Sequence, residues 1–343
     1  MAYGRTISGP AAATELVGLF KQQLTACNLR PGELCVVATD TAWNPVYGAA
    51  CLGAALDLGA EAYQLTLPHS HPLPSKSLGP AWEEADLLIF ATTHRLHYCE
   101  AMSRGLARGL RGLAAMQPLP VLQRLTADAD VIRRTKAGAR RVANARRIRI
   151  TSAAGTDLSM DKSGRPGVAN YGAADVPGHL DFWGAAMVET APLEGTLEGR
   201  LVLDVGDIVF HLGRYVAQPT AITFRQGKAV AFDGGLDAFL LRRYLESYGE
   251  ESSLMAGHVS WGTDRRALWT AQTVQFPEPG AGGADSEAHY GNVQIEIGSN
   301  NDLNFRGRNV AKAHLGLCAL GCNLWLDDEP IIANGQFVPE ELK

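Results

Sequence analysis

Apolar residues recur at two different periods along the chain, and the change of period divides it. From Ala11 to Cys27 they fall at helical spacing (Leu16, Leu19, Phe20, Leu24), and Pro31-Gly32 closes the segment. Leu34-Cys35-Val36-Val37-Ala38 is a short continuous apolar run, the mark of a strand buried on both faces. A helix rich in Ala and Leu follows from Pro45 to Gly59, then strands at Ala62–Leu67 and Leu87–Ala91. This rhythm predicts a parallel sheet with covering helices, a Rossmann-like α/β domain over residues 1–148. Residues Pro68 to Pro80 carry four prolines with His69 and His71, and read as an extended loop over the sheet's carboxyl edge.

From Ile148 onward the pattern shortens to β-runs punctuated by Gly, Pro, Asn and Asp. Examples are Leu201–Val205, Ala221–Phe224 and Lys228–Phe232, and Ile331–Val338 reads as a hairpin turning at Asn-Gly. One amphipathic helix, Leu236–Tyr248, interrupts them, and Pro279–Gly283 is a glycine-rich loop. The expected fold class is α/β, a parallel-sheet N-terminal domain followed by a strand-rich α+β metal-binding domain over 149–343.

Within those β-runs stand polar groups that do not belong in an apolar setting. His258 lies in Gly257-His-Val-Ser-Trp-Gly262 and His314 in Ala313-His-Leu-Gly-Leu317. Between them Glu296 shares a strand face with Gln294, opposite Val293, Ile295 and Ile297. Burying an unpaired imidazole or carboxylate costs several kcal/mol. One shared ion would satisfy all three, and two imidazoles with a carboxylate suit iron(II) or another divalent transition metal. Glu189, near a strand end, is a further acid/base or ligand candidate, against the plainer role of an exposed carboxylate. His97 follows the Leu87–Ala91 strand, where parallel-sheet folds aim residues into a site, and is an acid/base candidate beside His94.

Composition narrows the alternatives. At 343 residues, 46% hydrophobic, 20% charged and net −5, the chain has the composition of an ordinary soluble globular protein and gives no sign of nucleic-acid binding. The basic stretch Arg133–Arg149 is interleaved with apolar residues, as expected of a solvated helix face running into a strand. No apolar run is long enough for a membrane span and no signal peptide is visible. Six scattered cysteines, mostly in apolar contexts, fit buried thiols in the cytoplasm, and Cys318 and Cys322 are expected to pack rather than ligate. A small-molecule substrate and a homo-oligomer are expected. Gly-x-Ser-x-Gly, His-Glu-x-x-His, a Walker lysine loop and Gly-x-Gly-x-x-Gly are all missing, so serine-hydrolase, zinc-protease-helix and nucleotide chemistry are not expected.

Several segments together carry a resemblance. Ala153-Ala-Gly-Thr-Asp157, Asn170-Tyr-Gly-Ala-Ala-Asp-Val-Pro-Gly178, His258-Val-Ser-Trp-Gly262, Tyr290-Gly-Asn292 and His314-Leu with Leu326-Asp-Asp328 follow one another in an order and spacing similar to the 2,5-dihydroxypyridine 5,6-dioxygenases. More distantly the chain resembles the aminopeptidase T family. The resemblance implies iron(II) ring-cleaving chemistry, with the two ligand histidines at His258 and His314 and an outer histidine at His97. It also marks departures. The family's ligand aspartate falls on Gly316, an active-site histidine on Phe182 and a glutamate on Asn170. Glu296 is then expected to replace the aspartate, with Asn170, Phe182 and Trp261 contacting substrate. The rival expectation is a zinc or manganese hydrolase of an amide or cyclic amide with Glu189 as base, and the third a metal-free binding protein.

Overall fold

The computed structural model describes residues 12–73, 75–94, 96–271, 283–301 and 304–343. The N-terminal hexapeptide and all of the 279–283 loop but Gly283 lie outside them. The chain divides into two compact units, one of residues 1–127 and 171–185, the other of 128–170 and 186–343.

In the first unit, β1 (Leu34–Asp40), β2 (Glu61–Leu67), β3 (Leu87–Ala91) and β4 (Arg111–Ala114) join strand Leu180–Phe182 in a five-stranded, wholly parallel sheet, in the order β2-β1-β3-β4 and then that strand. The continuous apolar runs of β1 and β3 occupy its centre and are buried on both faces. Helix α1 (Ala13–Ala26) buries Leu16, Phe20 and Leu24 on one stripe, and α2 (Pro45–Asp57) starts where Asn44 accepts the Val46 N–H and Pro45 presets the first turn. The proline-rich loop is shorter than the sequence suggests. Helix α3 (Ser75–Trp82) forms through Pro80, because burying Leu78 and Trp82 in one apolar cluster outweighs the N–H that proline lacks.

The second unit starts with helix Ala129–Asn144, capped by Asp128, whose carboxylate accepts the Asp130 and Val131 N–H groups. The division therefore falls before this helix and not at 148/149. The helix buries Ala137, Ala139 and Val142 in the second unit's core. Two of its arginines are tied to their own chain: Arg134 donates to the Thr263 and Lys343 carbonyls, and Arg141 pairs with Glu329 and Glu341. Two antiparallel sheets follow. One has eight strands, in the order Lys228–Asp233, Thr220–Arg225, Glu198–Leu203, Asp157–Asp161, Arg147–Ser152, Cys322–Leu326, Glu329–Ala333, Gln336–Phe337. The other has seven, in the order Arg214–Tyr215, Ile208–Val209, His314–Ala319, Val293–Gly298, Ala256–Gly262, Met187–Thr190, Val168–Asn170.

Ile148, Leu158, Leu201 and Ile222 of the first of these sheets and Val259, Trp261, Ile295 and Leu315 of the second belong to a single apolar core. Trp261 is its largest anchor, 1% exposed, with its ring beside Gly138. Trp261→Ala should cost about 3–5 kcal/mol, read as a fall in the urea midpoint at unchanged slope. No helix among the described residues is long and apolar enough to cross a membrane.

Candidate metal centre

Strand alternation decides which side chains meet. In the seven-stranded sheet Ser260 stands opposite Glu189 on one side and Gln294 on the other, and Glu296 stands opposite Gly316. Residues Val259, Trp261, Ile295 and Leu317 therefore point into the core, while His258, Ser260, Gln294, Glu296, His314 and Gly316 share the other face. Most of that face is also covered: His258 is 6% exposed, Glu296 1% and Gln294 fully buried, with His314 partly exposed at its rim. A register shift between Ala256 and Val259 re-aims His258. Gly257 permits it, since a Cβ there would crowd the Glu296 Cβ at 3.3 Å and the Ser299 carbonyl at 3.2 Å.

One donor atom from each of His258, Glu296 and His314 lies within 4.8 Å of the other two, and they form the one such metal-capable group among the described residues. His314 Nε2 stands 3.7 Å from Glu296 Oε2. That is too long for a hydrogen bond but natural for two ligands each about 2.1 Å from one ion. Glu296 Oε2 and His258 Nδ1 are buried without a hydrogen-bond partner among the described residues. Burial, then the Glu287 and Glu189 carboxylates, hold the Glu296 carboxyl well above the usual range; burial, then His314, holds His258 well below it. Burial thus disfavours the charged form of both groups, and a divalent cation reverses that preference for the carboxylate. The residues fit such an ion.

Gly316 explains how the carboxylate reaches the site. A Cβ at this position would stand 2.5 Å from Glu296 Oε1 and 3.2 Å from its Cδ. The Glu296 carboxylate occupies the volume a side chain on the neighbouring strand would take.

His211, absent from the sequence reading, lies beside these groups. It follows strand Ile208–Val209, its ring centroid is 4.9 Å from that of His314, and its Nδ1 accepts the Gly316 N–H at 2.9 Å. The signal was available, a polar residue between Phe210 and Leu212, but only strand pairing brings it to the site. Phe305, also unanticipated, stacks on His258 at 4.8 Å.

Of the remaining expected residues, Glu189 is not an exposed strand-end group. It is 4% exposed, takes a hydrogen bond from Asn170 on Oε1, and places Oε2 3.7 Å from His258 Nδ1. Trp261 lies in the core on the opposite strand face, so its surroundings are structural rather than those of a substrate contact. His97 sits in the first unit, in the turn Leu96–Tyr98, edge-on to Phe182 at 5.2 Å. All six cysteines are unpaired, with Cys318 and Cys322 both buried.

The family model described as 2,5-dihydroxypyridine 5,6-dioxygenase matches residues 15–339. The curated 2,5-dihydroxypyridine 5,6-dioxygenase of Pseudomonas putida (strain KT2440) is 29% identical over 97% of this chain and 99% of its own length. The solved structure of the 2,5-dihydroxypyridine dioxygenase from the same strain superposes with a TM-score of 0.89 at 27% identity, covering 97% of this chain and 100% of that one. Wild-type AmpT from Thermus thermophilus superposes at 0.68 with 15% identity over 95% and 99%, a likeness of fold.

Proposed function

The chain belongs to the 2,5-dihydroxypyridine 5,6-dioxygenase family, and from that premise we propose that it opens the ring of a small hydroxylated N-heteroaromatic compound with dioxygen, using iron(II) held by His258, Glu296 and His314. The observation that supports this assignment is the convergence of those three side chains from three adjacent strands, with the buried Glu296 Oε2 lacking a hydrogen-bond partner among the described residues. Bound iron(II) supplies a redox-active centre at which a chelating ring and oxygen are both activated. His258, Glu296 and His314 would hold that ion from one side, so substrate and oxygen would approach it from the other. The Glu296 carboxylate supplies one negative charge against the ion's two; His258 and Glu296 are shielded from bulk water, while His314, a quarter exposed, is the ligand nearest solvent.

The test is protein purified without oxygen, analysed for metal, and placed in an oxygen electrode with 2,5-dihydroxypyridine and related hydroxypyridines. Stoichiometric iron with one oxygen consumed per ring opened is the expected result. Zinc or manganese in the protein, and no uptake after iron is supplied, would overturn the proposal.

A further inference from the structure

We propose that Glu189 is a positioning residue for His258, an outer carboxylate that fixes which ring nitrogen faces the ion; this rests on the metal centre proposed above. The sheet order supplies the first reason. His258 has a carboxylate-bearing strand on each side, Glu189 on one and Glu296 on the other, and the ion-binding group lies on the Glu296 and His314 side. The second reason is the ring itself. Its Nδ1 is buried with no hydrogen-bond partner and stands 3.7 Å from Glu189 Oε2, so Nε2 is the atom left for the ion. The third is the anchoring of the carboxylate, since Asn170 Nδ2 donates to Glu189 Oε1 from the next strand while Oε2 is the oxygen turned toward the imidazole.

A metal-bound histidine almost always gives its second N–H to such an acceptor, which sets its tautomer and strengthens it as a ligand. An Nδ1–H left buried without an acceptor is unfavourable, so closing the 3.7 Å gap on metal binding is favoured. Glu189 thereby holds a proton on Nδ1 of His258 rather than passing one to substrate.

Cobalt(II) serves as the probe, loaded into the full-length protein without oxygen. Glu189→Ala and Glu189→Gln should weaken cobalt binding about 10–100-fold, and Asn170→Ala should weaken it less, while each cobalt-free variant still unfolds in a single cooperative melt, which shows that it is folded. In proton NMR of the wild-type cobalt protein, the metal-shifted Nδ1–H of His258 should exchange slowly with water, and in Glu189→Ala rapidly. Unchanged affinity and unchanged exchange in Glu189→Ala would overturn the inference, as would a Glu189→Gln visible spectrum showing that a direct ligand had been lost. A wild-type protein that binds no cobalt would instead overturn the metal centre itself.

Discussion

Replacing Glu296 by alanine will strip the protein of its ion. The carboxylate is the one anionic ligand of the proposed set and is buried with an unpartnered oxygen. Iron(II) affinity should fall by more than about 100-fold, beyond what losing an outer contact costs, and substrate-dependent oxygen uptake should vanish. Glu296→Gln separates charge from shape: it too should lose the ion, while its ion-free unfolding temperature stays at or above the wild-type value, because a buried carboxyl without a partner is not a stabilising group. Metal analysis after anaerobic dialysis, with a thermal melt of the same samples, reads both. Retention of a full equivalent of iron in Glu296→Ala would show that the carboxylate is not a ligand.

The second large effect concerns Gly316. A methyl group there collides with the Glu296 carboxylate, and neither strand can yield easily inside a sheet buried on both faces. Gly316→Ala should therefore displace the carboxylate and lower iron affinity about 10–100-fold, comparable to disturbing the outer shell of a metal site, with the fold kept. The paired change Glu296→Gly with Gly316→Asp moves the carboxylate one strand across while keeping His258 and His314. It should recover iron binding that each single change loses. If Gly316→Ala binds iron as the wild type does, the space at 316 is not what seats the carboxylate.

Much of this centre was legible in the sequence because β-strands have a period of two. Alternation alone put Gln294 and Glu296 on one face and marked His258 and His314 as polar residues in apolar runs. The same rule separates Trp261 from His258, three positions apart and hence on opposite faces, which is why the tryptophan packs in the core. What the linear pattern does not carry is register. That Glu296 faces Gly316, that Gly316 donates to His211, and that Glu189 backs His258 all follow from which strands pair. The fold shows the same division. Strands β1 and β3 and helices α1 and α2 were readable from local periodicity, whereas the return of residues 171–185 to the first unit depends on the long-range pairing of Leu180–Phe182 with β4. Helix α3 was hidden by its own proline, Pro80, since its local preference opposes what burial of Leu78 and Trp82 favours.

Diffraction from anaerobic, iron-loaded crystals at the iron absorption edge tests the central claim most directly. One anomalous peak is predicted about 2.0–2.2 Å from a nitrogen of His258, a nitrogen of His314 and an oxygen of Glu296. A peak elsewhere, or one that Glu296 does not touch, would contradict it.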